Sequence, residues 1–212
     1  MRLLALDGAL ARASAALWDN GAVLAEARRD GARGQPAALP ALAAEVLPAA
    51  GQTVPDAVAV AVGPGGFTGL RAAIALARGL AEGWGIRCLG VTTGEALAAA
   101  LPPWQAEGRA IWSVTVAGRG GLVLEVLGKA PVLLDEATLP SPSGPVVLVG
   151  DAAQLAAARL RARGADVLLS DSRLPLASAV AVAAGRTLAA GTAREAAPLY
   201  AEPLALRPAP GA

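Results

Sequence analysis

The stretch Val62-Gly63-Pro64-Gly65-Gly66-Phe67-Thr68-Gly69-Leu70-Arg71 holds the sequence's best opportunity for ligand chemistry. Gly63, Gly65, Gly66 and Gly69 let the backbone take positive φ and come close to an anion at the start of the next segment. Two phosphate-binding spacings are testable, and both fail. A Walker loop needs Lys and then Ser or Thr after its last glycine, but Gly69 is followed by Leu70 and Arg71, and the single lysine is Lys129. A dinucleotide fingerprint needs glycine at its sixth place, which counted from Gly63 is Thr68. A tight turn without a ligand remains the simplest reading.

The other reactive side chains are few. Arg71, in the first turn behind the glycines, faces an anion, a carboxylate of a partner, or water. Asp7 ends the apolar run 2–6 and either caps the turn at Gly8-Ala9 or touches a ligand. Asp151 follows one apolar run and precedes another, the position of an N-cap. Arg78 and Glu82 are four apart and suit a surface pair. The sequence has no histidine and one cysteine, Cys88, so zinc sites, histidine acid-base catalysis and Ser-His-Asp triads are ruled out. Cys88 falls in an apolar run and reads as inert packing.

The elements that position these residues follow from the apolar pattern. Residues 57–62 alternate Ala and Val between Pro55 and Gly63, a strand; residues 70–83 lack proline and are mostly good helix formers, a helix with Thr68 as its N-cap. Before them, 2–7, 14–18 and 23–27 form three strands with a turn at Asp19-Asn20-Gly21, and 35–50 is helical, with Leu39, Leu42, Val46 and Leu47 on one face. After them come a strand at 87–91 and a helix at 94–101. Pro102-Pro103 marks a boundary between lobes at 1–104 and 105–212. The second lobe repeats the order: a hairpin of 110–116 and 122–127 around Gly118-Arg119-Gly120-Gly121, strands at 131–134, 146–149 and 167–169, and helices at 152–163 and 178–190. The tail from Pro198 is too rich in proline to assign. Two related α/β lobes with a cleft between them are expected.

The helix 70–83 has a further property. Arg71, Arg78 and Glu82 fall on one stripe, and the rest of its circumference is apolar, with Ala72, Leu76 and Gly79 on the side away from Leu70 and Ile74. Burial on two sides, by its own sheet and by a partner, would use that whole surface.

The composition sets the remaining bounds. The chain of 212 residues is 55% hydrophobic with net charge +1, giving no general field for nucleic acid. No apolar run approaches the roughly 18 residues of a membrane span. An acid already at Asp7 argues against a signal peptide, so a soluble protein of the cytoplasm is expected. The lone cysteine, which cannot form an internal disulfide, agrees.

Leu4-Ala5-Leu6-Asp7, the glycine turn with its Phe67-Thr68-Gly69-Leu70-Arg71 ending, Gly90-Val91-Thr92-Thr93 and Pro198-Leu199-Tyr200 together resemble the TsaB (formerly YeaZ) family. The likeness is close over residues 1 to about 100 and loose beyond. It implies an actin/Hsp70-like (ASKHA) α/β fold of two ribonuclease-H-like lobes, the second reduced. It also implies a non-catalytic accessory role in making threonylcarbamoyladenosine in tRNA. The family pairs through helices of its first lobe with TsaD, the subunit that carries the metal and transfers the threonylcarbamoyl group, and TsaE, an ATPase, joins the pair. Carried over, the partner interface falls on Leu39, Leu42, Val46, Ala72, Leu76 and Gly79, with tRNA engaged indirectly. Self-association through the same face is a further expectation.

No cofactor or metal is expected, and ATP at a subunit interface stays open. The fold places a metal-linked carboxylate at Asp7, where a single acid makes a poor site. The chain departs from the family at Asp7-Gly8-Ala9, where a threonine is usual, at Gly66, usually serine, and at Gly34-Gln35-Pro36-Ala37, often His-Ser. Each change removes polar chemistry and keeps backbone shape. The competing class is an enzyme, either a phosphotransferase of the same fold or a peptidase.

Overall fold

The computed structural model describes residues 1–31, 33–51, 53–117 and 120–203. Strands β1 (Arg2–Asp7), β2 (Arg12–Asp19) and β3 (Ala22–Asp30) form an antiparallel meander. Asn20 and Gly21 both take positive φ in the β2–β3 hairpin, as that dipeptide favours. Helix α1 (Gln35–Val46) leads to β4 (Ala57–Gly63), which runs parallel to β1, and α2 (Phe67–Trp84) leads to β5 (Arg87–Thr92), parallel to β4. Every residue of β4 is buried, which explains its continuous apolar run: helices cover both faces of the sheet.

Two short helices, α3 (Thr93–Ala99) and α4 (Pro103–Ala106), carry the chain to the second lobe. There β6 (Ala110–Val116), β7 (Leu122–Val126) and β8 (Val132–Leu134) repeat the meander, and β9 (Val146–Val149), α5 (Ala153–Ala162) and β10 (Val167–Leu169) complete the sheet. The sheets have the same order, β3-β2-β1-β4-β5 in one and β8-β7-β6-β9-β10 in the other. Trp112, Val114, Leu122, Leu124 and Leu148 form one core with Ala153, Ala156 and Leu160 of α5. The alternate residues Ser113, Thr115, Val123 and Glu125 are also buried, on the face turned to α3 and the first lobe.

The assignment of all of 105–212 to the second lobe does not hold. Helix α6 (Ala177–Ala189) returns to the first sheet, where Ala177, Val180, Ala181 and Ala184 share one core with Leu3, Leu17, Val58 and Leu89. Strand β11 (Arg194–Glu195) then adds to the edge of β5, and β12 (Glu202–Pro203) adds to β8. The chain therefore crosses between lobes three times. The repeated element order suggested two consecutive lobes, but an apolar helix docks wherever a sheet face is uncovered, and here that is the first lobe's second face.

Three smaller expectations are also corrected. Helix α2 starts at Phe67, with extended Gly66 as its N-cap, so Thr68 lies exposed inside the first turn and caps nothing. Asp151 does not cap α5; its Oδ1 accepts from Val116 N at 2.9 Å across the lobe. No ion pair joins Arg78 to Glu82 among the described residues. The expected hairpin turn at Gly118-Arg119 lies outside the described residues. No helix among those described is long and apolar enough to cross a membrane.

Candidate functional site

The glycine turn packs back to back against the turn that follows β1. Gly66 N donates to Ala9 O at 2.7 Å. A Cβ on Gly65 would collide with the Ala9 backbone, and one on Gly69 with the Gly8 carbonyl. Gly8 faces the reciprocal limit, its Cβ position lying 2.9 Å from Gly69 O. Gly63 has φ 109°, and a side chain there would meet Leu199 O at 2.8 Å. The glycines are thus explained by backbone meeting backbone. Gly66 is the exception, since a Cβ would lie at an ordinary 3.6 Å from Ala9 O.

Asp7 lies beneath this junction, fully buried. Its Oδ1 accepts from Ala9 N at 3.2 Å, while Oδ2 has no partner. Burial pushes its carboxyl up to about 7, against the weaker opposing pull of the Ala9 N–H and the Arg12 guanidinium. Arg12 is itself bound to Asp30 and to Leu174 O. Asp7 therefore caps its turn and lines neither of the clefts beside it.

Those clefts flank Phe67. One, of about 350 Å³, is walled by Gly8, Ala9, Gln35, Thr68, Gly69 and Asp151, with Phe67 and Val116 at its rim. Among the described residues it is lined by no lysine or arginine, and the one acid there, Asp151, is shifted upward by burial. The second, of about 330 Å³, is apolar apart from Arg71 and the phenol of Tyr200, with Leu70, Val123, Leu133 and Leu199 among its walls. Phe67, Val116 and Tyr200 stand at the mouth with 61%, 57% and 55% of their surface exposed.

Arg71 is not left to water. Its guanidinium lies 3.7 Å from the centroid of Phe67, and its Nη2 and Nε donate to Tyr200 Oη at 2.7 and 3.2 Å. Leu199 N donates to Val62 O at 2.8 Å and fastens the tail beside the turn. The proline-rich tail gave no periodic signal from which this seat could be predicted.

The expected interface residues separate into two groups. Leu39, Leu42 and Val46 are 0%, 8% and 1% exposed in the first lobe's own core, so they are not available to a partner. They mark the inner face of α1, whereas Ala37, Pro40, Ala41 and Ala44 mark the outer one. On α2, Leu70, Ala73, Ile74, Ala77 and Ala81 are buried, and Ala72 and Leu76 are partly covered by their own core. Ala75 and Gly79 are open, and nothing lies within 4 Å of where a Gly79 Cβ would be.

The sequence reading missed Glu125, whose signal was an acid inside the apolar strand Leu-Val-Leu-Glu-Val. It is 3% exposed and accepts from Thr92 Oγ1 and from Gly94 N across the lobe boundary. Burial raises its carboxyl to about 7. Cys88 is half-buried, and burial pushes its thiol up to about 11. No group of three or more His, Cys, Asp or Glu side chains among the described residues could hold a metal ion.

Comparison with known proteins agrees with this architecture. Residues 31–152 match the family described as "TsaD: tRNA N6-adenosine threonylcarbamoyltransferase". The tRNA threonylcarbamoyladenosine biosynthesis protein TsaB of Escherichia coli K12 is 38% identical over 95 residues, spanning 44% of this chain and 41% of that relative's length. A crystal structure from Pseudomonas aeruginosa, of an uncharacterized protein with similarity to peptidase YeaZ, superposes with TM-score 0.77 at 25% identity over 94% of this chain and 98% of that one. YeaZ from the same organism gives 0.76 at 25% identity, over 94% and 99%. The ethanolamine utilization protein EutJ of Carboxydothermus hydrogenoformans shares the fold alone, at 16% identity and TM-score 0.51, over 86% of this chain and 89% of that one. The fold is the two-lobed actin/Hsp70-like α/β fold, and the chain belongs to the TsaD family, within its TsaB/YeaZ branch.

Proposed function

We propose that this chain is a non-catalytic subunit that binds a TsaD-like protein and so supports threonylcarbamoyladenosine formation in tRNA, in the cytoplasm and with a TsaE-like ATPase joining the pair. The carrying observation is the open side of α2, where the small residues Ala75 and Gly79 lie along the charged stripe of Arg71, Arg78 and Glu82, with Phe67 exposed at the helix start. A helix with small residues outward accepts another helix at short axial distance. The exposed Ala37, Ala41 and Ala44 of α1, which packs against α2, extend this surface.

The non-catalytic part of the reading is supported by the turn chemistry. The Gly66 N–H is spent on Ala9 O, the cleft walled by Gln35 and Asp151 is lined by no lysine or arginine among the described residues, and Asp7 is sealed below it. The test is to mix the purified chain with the TsaD-like protein of the same organism and follow co-elution. Wild type should co-elute at micromolar concentration, and Gly79→Arg should not, with its thermal unfolding at or above that of wild type. Co-elution of Gly79→Arg like wild type would overturn the face. Absence of any complex, with normal modified-nucleoside content in a strain lacking this chain, would overturn the function. Light scattering at two concentrations distinguishes self-association through the same surface.

A further inference from the structure

Glu125 is the second lobe's reach into the first. On β7, Leu122 and Leu124 turn into the core under α5, while Val123 and Glu125 turn the other way, toward α3. Thr92 Oγ1 donates to Glu125 Oε1, and Gly94 N donates to Oε2 at 2.9 Å. The socket has a specific shape. A Cβ on Gly94 would stand 2.5 Å from the Glu125 carboxyl carbon, so the glycine's bareness is what admits the acid. The socket is also held from behind: Glu95 N donates to Thr92 Oγ1 at 3.0 Å, Thr92 N donates to Glu95 Oε2 at 2.8 Å, and Arg194 donates to both Glu95 oxygens at 2.8 and 2.9 Å.

We propose that Glu125 is a latch between the two lobes, closing them on each other when its carboxyl is neutral and releasing them when it is ionised. Other bonds between the lobes lie where the chain itself crosses. Ser172 Oγ donates to Leu97 O, Arg12 to Leu174 O, and Ala177 N to Ser14 Oγ, all on the segment 170–177 that would turn with a hinge. Glu125 instead sits on a strand of the second sheet and must leave its socket if the lobes part.

The charges around it favour the neutral form. Desolvation by burial acts first and outweighs the hydrogen bonds from Thr92 and Gly94, which favour the ionised form, and the carboxylate of Glu95 on α3 adds repulsion. Arg194 of β11 opposes them, yet it is already committed to Glu95. Lys129, in the turn beyond β7, lines the same cavity of about 320 Å³. Ser113 and Thr115 on β6 and the apolar β8 bring no titratable group. The balance leaves the carboxyl at about 7, so ionisation falls in the neutral range. Neutral Glu125 keeps Oε2 as acceptor for Gly94 N and can turn its own proton toward Thr92 Oγ1, whereas the ionised form gains by reaching water. Parting the lobes carries Val116 of β6 away from Phe67 of α2, so the latch also sets the shape of the cleft mouth.

The test uses the full chain with Cys88→Ser, spin-labelled at Arg29→Cys on the exposed edge of the first lobe and Gln154→Cys on α5. Electron-electron distances are measured from about pH 5.5 to about pH 8.5, diluted with unlabelled chain. The expected result is one narrow distance at low pH that lengthens and broadens as pH rises toward about 7 and changes no further above it. Glu125→Gln should hold the narrow distribution throughout, and Gly94→Ala, which expels the carboxyl, should show the broad one throughout. A wild-type distance that ignores pH, or a Glu125→Gln chain that shifts as wild type does, overturns the latch. If Gly94→Ala does not fold, the comparison of wild type with Glu125→Gln decides alone.

Discussion

Arg71 bridges two aromatic residues that are far apart in sequence: its guanidinium covers Phe67, one helical turn before it, and its Nη2 donates to Tyr200 Oη at 2.7 Å. The tail of the chain is thereby pinned onto the first turn of the helix behind the glycines. A cation between a ring and a phenol is held in one orientation, which fixes the first-lobe side of the cleft mouth.

Tyr200→Phe removes both hydrogen bonds and keeps the ring. It should lower global stability by no more than about 1 kcal/mol, because the pair is exposed. Local protection at Leu199, whose N–H bonds Val62, should fall further. Hydrogen exchange read residue by residue checks both, and unchanged protection at Leu199 would contradict the pinning.

The glycines of the turn should differ sharply in tolerance. Gly65→Ala drives a methyl into the Ala9 backbone and should destabilise by roughly 2 kcal/mol or more. Gly66→Ser, with ordinary space around its Cβ and negative φ, should stay within about 0.5 kcal/mol of wild type. Denaturant midpoints of the two variants give the comparison.

Interface and core can be separated on the same pair of helices. Leu39→Ala should cost about 2–5 kcal/mol by opening a cavity under α1. Gly79→Arg should hold or raise the unfolding temperature, since arginine suits a helix interior better than glycine, and abolish pairing. If Leu39→Ala were as stable as wild type, the assignment of that side chain to the core would be wrong.

The pH dependence of stability has an unusual sign. Asp7 has its carboxyl raised from 3.8 to about 7, and Glu125 from 4.5 to about 7. Between those limits the folded chain holds protons that the unfolded chain has released, so stability falls as pH rises, and it is flat above. Asp7→Asn removes one of the two contributions. Its melting temperature should equal or fall below wild type at about pH 4 and exceed it at about pH 8. The reverse order would show that the buried carboxyl is stabilised by its charge.

Much of this was legible in the sequence for clear reasons. The alternating run 57–62 and the proline-free segment behind it specify strand and helix by period alone, and the repeated order of strands and helices pointed to paired lobes. Periodicity cannot say which apolar side of a helix meets its own sheet: on α1 the regular face Leu39-Leu42-Val46 proved to be the core, and the outward surface is made of alanines, which carry no pattern in so alanine-rich a chain. Thr68 suits the role of cap by its type, but extended Gly66 sets the boundary two residues earlier. Arg71 could be singled out from its place, while its partner Tyr200 is 129 residues away and no local rule joins them. Glu125 was visible only as an acid in an apolar strand, and its socket is built by the other lobe.

The return of α6 to the first sheet has a consequence for biosynthesis. The second lobe is nearly contiguous, with its sheet from β6 to β10 and α5 all within 110–169, so it can close as soon as that stretch has left the ribosome. The first sheet has one bare greasy side until residues 177–189 arrive. The half of the molecule that is made earliest therefore waits for its cover until the sheet core of the other half has been made, and until then that side is what a chaperone would have to shelter.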